Sequence, residues 1–328
     1  MAIFTNLIIA DVVIITLIED KREDMKDFLA FHGYSSNFNF KILCNTLIDF
    51  GYEVDRADER NVENFNYLDG YKYIIMCWHS DLKHYDYIRK LIKKKYAHVP
   101  IILYDDTDWN VKTMKFHEKP KMVFKRELSV KTKKIKHVPY YSMPKIVEDN
   151  YHPEVEKIYD VSFIGSVTSK YRDILYDKLD HIKKDNWFIS KNKYPYDDYI
   201  RILNQSKIGL STFGNGYDTI RYWEVISCKT ALLSPKIPLD IVDDLTEKEM
   251  LCFDADASDL EEKINYLLEN DRWKIYAENG YKAFQKRHSN IKRTEYFLTK
   301  MKECDEPTLI RCVDPYNVIS RFFNRVLG

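Results

Sequence analysis

The sequence predicts an α/β protein made of two successive doubly wound domains, each a parallel sheet with helices on both faces. Three observations carry this. Short apolar strands alternate with amphipathic helices over the first 138 or so residues. The alternation stops between Pro139 and Lys157, where Pro139, Pro144 and Pro153 punctuate charged residues with few aliphatics, as in a linker. A second alternating series then runs from Tyr159 onward. A chain of 328 residues is long for one core and suits two.

In the first series Val12–Ile18 is a strand candidate. Phe38–Phe50 spaces Phe40, Leu43, Leu47 and Phe50 as a helix does, with Gly51 at the stop position. Tyr52–Asp55 and Tyr73–Trp78 read as strands, and Tyr85–Tyr96 as a basic amphipathic helix. Pro100–Tyr104 is a fully apolar strand running into Asp105-Asp106-Thr107-Asp108-Trp109, and Val123–Phe124 and Ile135–Val138 look like the last short strands. In the second series the expected strands are Tyr159–Ile164, Trp187–Ser190, Ile208–Ser211 and Ala231–Leu233. The expected helices are Lys170–Ile182, Tyr196–Gln205 and Thr219–Cys228. Ser258-Asp-Leu-Glu261 reads as a capping box that opens a helix with Leu260, Ile264, Leu267 and Leu268 on its apolar face.

Composition narrows the class. Hydrophobic residues at 45% and charged residues at 31% describe a globular chain, not a disordered one. Lys plus Arg and Asp plus Glu both total 51, so net charge points to neither nucleic acid nor membrane. The six cysteines show no close spacing, so neither a zinc site nor a disulfide framework is expected, and free thiols suit a reducing, cytoplasmic setting. Ile3–Ile18 is apolar, but it is short for a span and Asn6, Asp11 and Thr16 interrupt it, so a buried strand is expected instead of a membrane segment.

The informative segment is Ile208–Ser234, IGLSTFGNGYDTIRYWEVISCKTALLS. A strand leads into a loop with Gly214 and Gly216, and a helix starts near Asp218 or Thr219, both good N-cap types. Small residues let the backbone approach a ligand, and a helix start offers free N–H groups and the positive end of a dipole, so a diphosphate fits there. Arg221 and Glu224 share a helix face. The arginine can neutralise phosphate and the carboxylate can accept from two ribose hydroxyls. A plain ion pair on a solvated helix is the alternative.

From Thr219 to about Leu298 the sequence resembles the C-terminal domain of the group 1 glycosyltransferases, most closely the branch with the spore-maturation-type enzymes. The residues are Arg221-Tyr-Trp-Glu224, Cys228, Ala231-Leu-Leu233, Leu267-Leu268, Gly280, His288 and Arg293. Asp105-Asp106 and Phe124-Lys-Arg-Glu-Leu128 are also similar to that branch. The resemblance implies a GT-B architecture of two Rossmann-like domains facing across a cleft. It implies an acceptor-side domain over residues 1–145, a nucleotide-sugar donor domain over 146–304, and a helical tail over 305–328 that packs back on the first domain. Glu224 matches the second glutamate of the family's E-x7-E signature, which binds the donor ribose, while the first falls at Gly216. Gly165-Ser166 matches the loop that abuts the diphosphate, with Arg172 as a further phosphate contact.

The expected reaction is therefore transfer of a sugar from a UDP- or GDP-sugar donor, with no cofactor required. Negative charge builds on the leaving diphosphate and positive charge on the sugar ring. GT-B enzymes are typically metal-independent, so Arg221 and the helix start would do the work of a metal, and Asp254-Ala-Asp256 reads as turn chemistry. Acceptor-side catalytic groups would stand at the C-terminal ends of the first domain's strands, where Asp105, Asp106, His32 and His79 are the candidates. Lys125 and Arg126 would reach the donor phosphates from across the cleft.

Residues 111–136 hold ten Lys or Arg against Glu118 and Glu127. They are either a solvated face or a dock for an anionic acceptor such as a teichoic-acid-like polymer, a nucleic acid or a lipid phosphate, the acceptor being a glycan or a polyanion. Tyr316–Leu327, with Val318, Ile319, Phe322, Phe323 and Val326 on one side, would pack on the first domain or touch a membrane surface peripherally. Rival readings are a sugar-nucleotide 2-epimerase, a non-catalytic nucleotide- or glycan-binding protein, and a transferase acting on nucleic acid.

Overall fold

The computed structural model describes residues 25–31, 38–58, 70–78, 99–108, 120–129 and 138–305. They build two parallel sheets. The first comprises β1 (Lys26–Phe31), β2 (Val54–Ala57), β3 (Tyr71–Trp78), β4 (Ile101–Asp105), β5 (Met122–Lys125) and β6 (Tyr140–Ser142), in the order β2-β1-β3-β4-β5-β6. The second comprises β7 (Tyr159–Ile164), β8 (Phe188–Ser190), β9 (Ser206–Leu210), β10 (Ala231–Ser234) and β11 (Leu251–Cys252), in the order β11-β10-β9-β7-β8. Every pairing in both sheets is parallel.

The two sheets share one winding. Each starts on an inner strand, adds one neighbour on one side, then crosses back to grow on the other. The strand order therefore reverses between β1 and β3 and again between β7 and β9, and a crevice opens at the C-terminal ends of such strands. Strands β4 and β10 are buried along their whole length, which is why they read as unbroken apolar runs. Both sheets lie in one compact unit that ends at Thr294.

The helices of the first sheet's described part reduce to α1 (Phe38–Asp49), which stops at Gly51 with φ at +87°, a conformation suited to glycine. Around the second sheet stand α2 (Lys170–Ile182), α3 (Tyr196–Asn204), α4 (Ile220–Ser227), α5 (Leu260–Leu268) and α6 (Arg272–Ala283). A π-helical turn at Phe284–His288 leads into α7 (Asn290–Asp305). Leu175 and Leu179 of α2, Leu260, Ile264 and Leu267 of α5, and Trp273 and Ala277 of α6 share a core with β7, β9 and β10.

Several expectations need correcting. Strand β1 is not among the predicted elements. Its apolar run, Phe28–Phe31, follows a dense block of charges and is marked only by tertiary burial, each residue being at most 2% exposed. The expected linker begins late, because Tyr140–Ser142 pairs with β5 as the sixth strand. The expected capping box at Ser258 does not form. Asp259 is the N-cap residue and its Oδ1 accepts from the Asp254 N–H, while the Ser258 N–H donates to Asp256 Oδ1. Asp254 and Asp256 thus serve the turn ahead of α5.

The strand at Val12–Ile18, the helix at Tyr85–Tyr96, the tail from residue 306 and most of the basic run lie outside the described residues. Among the described residues no helix is long and apolar enough to cross a membrane.

Candidate functional site

A cavity of about 570 Å³ opens at the β7/β9 reversal. The loop after β7 supplies Gly165 and Ser166, the loop after β9 supplies Gly214–Gly216, and the first turn of α4 supplies Thr219–Arg221. Tyr194 after β8 and Tyr196 and Tyr199 of α3 line it too, and from the first-sheet half come Asp108, Arg126 and Lys145.

Two arginines set the charge at the β7 side. Arg221 lies against the Phe163 ring, its carbon 4.9 Å from the centroid, and donates from Nη2 to the Ile164 carbonyl. Its Nε and Nη1 are buried without a partner. Arg172, whose backbone N–H is capped by Ser169 at the start of α2, donates from Nη1 to the Ser166 carbonyl at 2.9 Å and leaves Nε buried and unpaired. Burial and the Arg221 charge together push the Arg172 guanidinium down to about 10. Two confined cations with spare donors repel one another until an anion joins them. Gly165 makes room for this, since a Cβ there would stand 2.5 Å from Arg221 Nη2.

One turn along α4 from Arg221, Glu224 is 3% exposed and accepts from the Tyr199 hydroxyl at 2.9 Å. Burial pushes its carboxyl up to about 7, against the Tyr199 bond and the nearby Arg221 and Lys145 charges. Thr219 is the N-cap residue of α4 but its side chain makes no cap bond, turning instead to Ser211 Oγ at 3.1 Å. The expected cap at Asp218 is also absent. Its Oδ1 accepts from Trp223 Nε1 at 2.7 Å and its Oδ2 from the Lys145 N–H at 2.8 Å. Burial raises the Asp218 carboxyl to about 6. The start of α4 therefore keeps its positive dipole end without a side-chain cap.

The first-sheet half contributes a buried ionic cluster. Asp105, at the end of β4, accepts from the Thr107 N–H and hydroxyl and pairs with Lys125 at 3.2 Å. Arg126 is ringed by Asp106 at 3.0 Å, Glu127 at 2.8 Å and Asp108, and these carboxylates outweigh burial to hold its pKa above the usual range. Lys145 Nζ lies 3.4 Å from Asp106 Oδ2. The Asp218 N–H donates to Glu127 Oε1 at 2.8 Å, so the cluster touches the second sheet's loop directly.

Gly165, Ser166, Arg172, Gly214, Gly216, Asp218, Thr219, Arg221, Glu224 and Arg126, all named from the sequence, meet in this one cavity. Asp105, Asp106 and Lys125 do not line it. They are buried in the ionic cluster beside it, with Lys125 committed to Asp105 and Thr107. His32 and His79 lie outside the described residues. His288 and Arg293 form a brace behind α4. Arg293 Nη2 donates to His288 Nδ1 at 2.6 Å, the His288 ring packs 4.8 Å from Trp223, and Trp223 holds Asp218. Burial among arginines keeps His288 neutral, well below its ordinary pKa.

Sequence reasoning missed Tyr199, Lys145, Asp108 and Glu127 as site residues. Asp108 stood in a noted acidic run and Glu127 beside Arg126. Tyr199 and Lys145 lay on a helix and a linker with no local signal. Among the described residues no three His, Cys, Asp or Glu side chains gather as a metal site.

Residues 159–299 match the family model described as glycosyl transferase-like. No curated protein matches the sequence. Solved structures do. HepE of Anabaena in complex with UDP superposes with a TM-score of 0.60 at 10% identity, over 85% of this chain and 100% of that one. A second structure of HepE holds UDP-glucose, with a TM-score of 0.57 at 9% identity, over 84% of this chain and 99% of that one. A glycosyltransferase of Rickettsia africae matches with a TM-score of 0.56 at 13% identity, over 87% and 100%. With its two parallel-sheet α/β domains, the chain has the GT-B fold.

Proposed function

We propose that this protein is a glycosyltransferase that moves a sugar from a nucleoside-diphosphate sugar to an acceptor held by its first-sheet half. The observation that carries the reading is the pairing of Arg221 and Arg172, which keep buried unpaired nitrogens and line one cavity with the uncapped start of α4 at the sheet's reversal point. A diphosphate supplies the missing acceptors. Glu224, next along the helix, then takes the ribose hydroxyls, and the match over residues 159–299 supports the same assignment. The neighbour that holds UDP and UDP-glucose makes a UDP-sugar the first donor to try. The division near residue 145, a cytoplasmic setting and a glycan or polyanion as acceptor belong to this reading.

In the reaction, Arg221, Arg172 and the α4 dipole stabilise the charge that builds on the leaving diphosphate. We propose metal independence on the ground that Arg126 already fills the space among the nearest carboxylates. Isothermal calorimetry with UDP and GDP tests the reading. Micromolar binding that weakens by about tenfold or more in Arg221→Ala is expected, the cost of losing a charge-assisted pair. Absence of binding to either nucleotide overturns it. Product analysis separates transfer from epimerisation.

A further inference from the structure

The cavity is polarised, and the polarity has a structural basis in one short loop. Gly214 lies beside Arg172, where a Cβ would stand 3.2 Å from Nη2. Two residues on, Gly216 lies against the first-sheet half, where a Cβ would overlap Glu127 Oε1 and stand 2.5 Å from Asp108 Oδ1. The loop therefore runs from a wall of two arginines to one where Asp108 and Glu127 flank Arg126. A carboxylate repels phosphate, so Asp108 suits some other part of the ligand better.

Three carboxylates line the cavity: Asp108, Asp218 and Glu224. Both oxygens of Asp218 are occupied, by Trp223 and by the Lys145 backbone. Glu224 is bonded to Tyr199 and sits beside Arg221, at the nucleotide side. Asp108 differs from both. Its side chain is 29% exposed, Arg126 fixes one oxygen, and the other makes no bond within the described residues. Glu127, beside it, is fully buried and committed to Arg126 and the Asp218 N–H.

We infer that Asp108 is the residue that grips the transferred sugar, its free Oδ2 accepting from ring hydroxyls. This rests on the glycosyltransferase reading above. A sugar linked to a diphosphate held at Arg221 and Arg172 extends along the Gly214–Gly216 loop toward Asp108. There an ionic acceptor both selects hydroxylated rings and favours the positive charge that develops on the sugar. Arg126 holds the carboxylate in place, so the grip is pre-formed.

The test compares UDP with the tightest-binding member of a panel of UDP-glucose, UDP-galactose and UDP-N-acetylglucosamine, by calorimetry on the full chain. In the unmodified protein the sugar should add to the affinity of UDP. In Asp108→Asn that increment should fall by about tenfold while UDP itself binds within about twofold of its original affinity. Asp108→Glu, which keeps the charge, should retain part of the increment. A sugar increment unchanged in Asp108→Asn overturns the inference and leaves the nucleotide reading intact. Equal loss of UDP and UDP-sugar affinity, with a lowered melting temperature, also overturns it, by reducing Asp108 to a support for Arg126. If the unmodified protein binds neither UDP nor GDP, the glycosyltransferase reading itself falls.

Discussion

Arg126 donates from Nη1 to the main-chain carbonyl of Asp218 at 3.0 Å, and the Asp218 N–H returns to Glu127 Oε1 at 2.8 Å. Adjacent residues of the first-sheet half thus hold both faces of one peptide segment of the second. The Asp218 side chain then ties Trp223 of α4 and the Lys145 backbone. Asp218→Ala leaves one buried and one part-buried donor unpaired, at about 1–3 kcal/mol each. Urea unfolding should show a loss of about 2–5 kcal/mol. A loss under about 1 kcal/mol would mean water replaces the carboxylate and that the junction is looser than described.

Glu224 makes stability depend on pH in a direction opposite to that of most acids. Its carboxyl rises from 4.5 to about 7 on folding, so between those values the folded state binds more protons than the unfolded one. Stability must therefore fall as pH rises through that window, and the deficit is complete above about 7. Glu224→Gln removes the slope and keeps an acceptor for Tyr199. Its melting temperature relative to the original protein should climb from pH 5 to pH 8, by an amount equivalent to at most ~3 kcal/mol. A constant difference across that range would show the carboxyl titrating normally.

The same variant separates stability from binding. Ribose hydroxyls donate to a carboxylate more strongly than to an amide, so Glu224→Gln should bind UDP about tenfold more weakly at pH 8. Calorimetry at that pH showing equal affinities would take Glu224 out of the nucleotide site.

Gly165→Ala targets the arginine without touching it. The added methyl would meet the end of a flexible side chain, so the fold should survive with a melting shift of a few degrees. Arg221 must move, and UDP affinity should drop by about tenfold or more. Retained affinity would show that Arg221 reaches its ligand from another rotamer.

If two arginines and a helix start carry the phosphate charge, as proposed, exhaustive chelation should leave nucleotide-sugar turnover largely intact. Loss of turnover, restored by manganese or magnesium, would contradict that and draw attention to Asp106 and Asp108.

Much of the second half was legible in the sequence, and for a physical reason. Strand β10 is buried along its whole length, so its apolar run is continuous, and Arg221-x-x-Glu224 with glycines ahead of it marks the helix start that lines the cavity. The first half was less legible. Phe28–Phe31 is short and flanked by charges, so nothing local separates it from a loop. The side chains that complete the cavity from across the sheets were invisible for a different reason. Lys145, Asp108 and Glu127 act through contacts to Asp218 and Gly216 that lie 73 to 108 positions away in the chain, beyond the reach of any periodic pattern. Asp105 and Lys125 were found as charges at a strand end, but sequence could not tell that they satisfy one another.

The contact at Gly216 has a geometric consequence. A Cβ on Gly216 would overlap Glu127 Oε1 and stand 2.5 Å from Asp108 Oδ1, so the loop and the first-sheet half leave no room for one. Any side chain there acts as a spacer, widening the gap between Asp108 and the arginines and lengthening the span a bound nucleotide sugar must bridge. The size of one residue is thus a ruler for the ligand, and lengthening it by a single methyl group should change which ligands fit as well as how tightly.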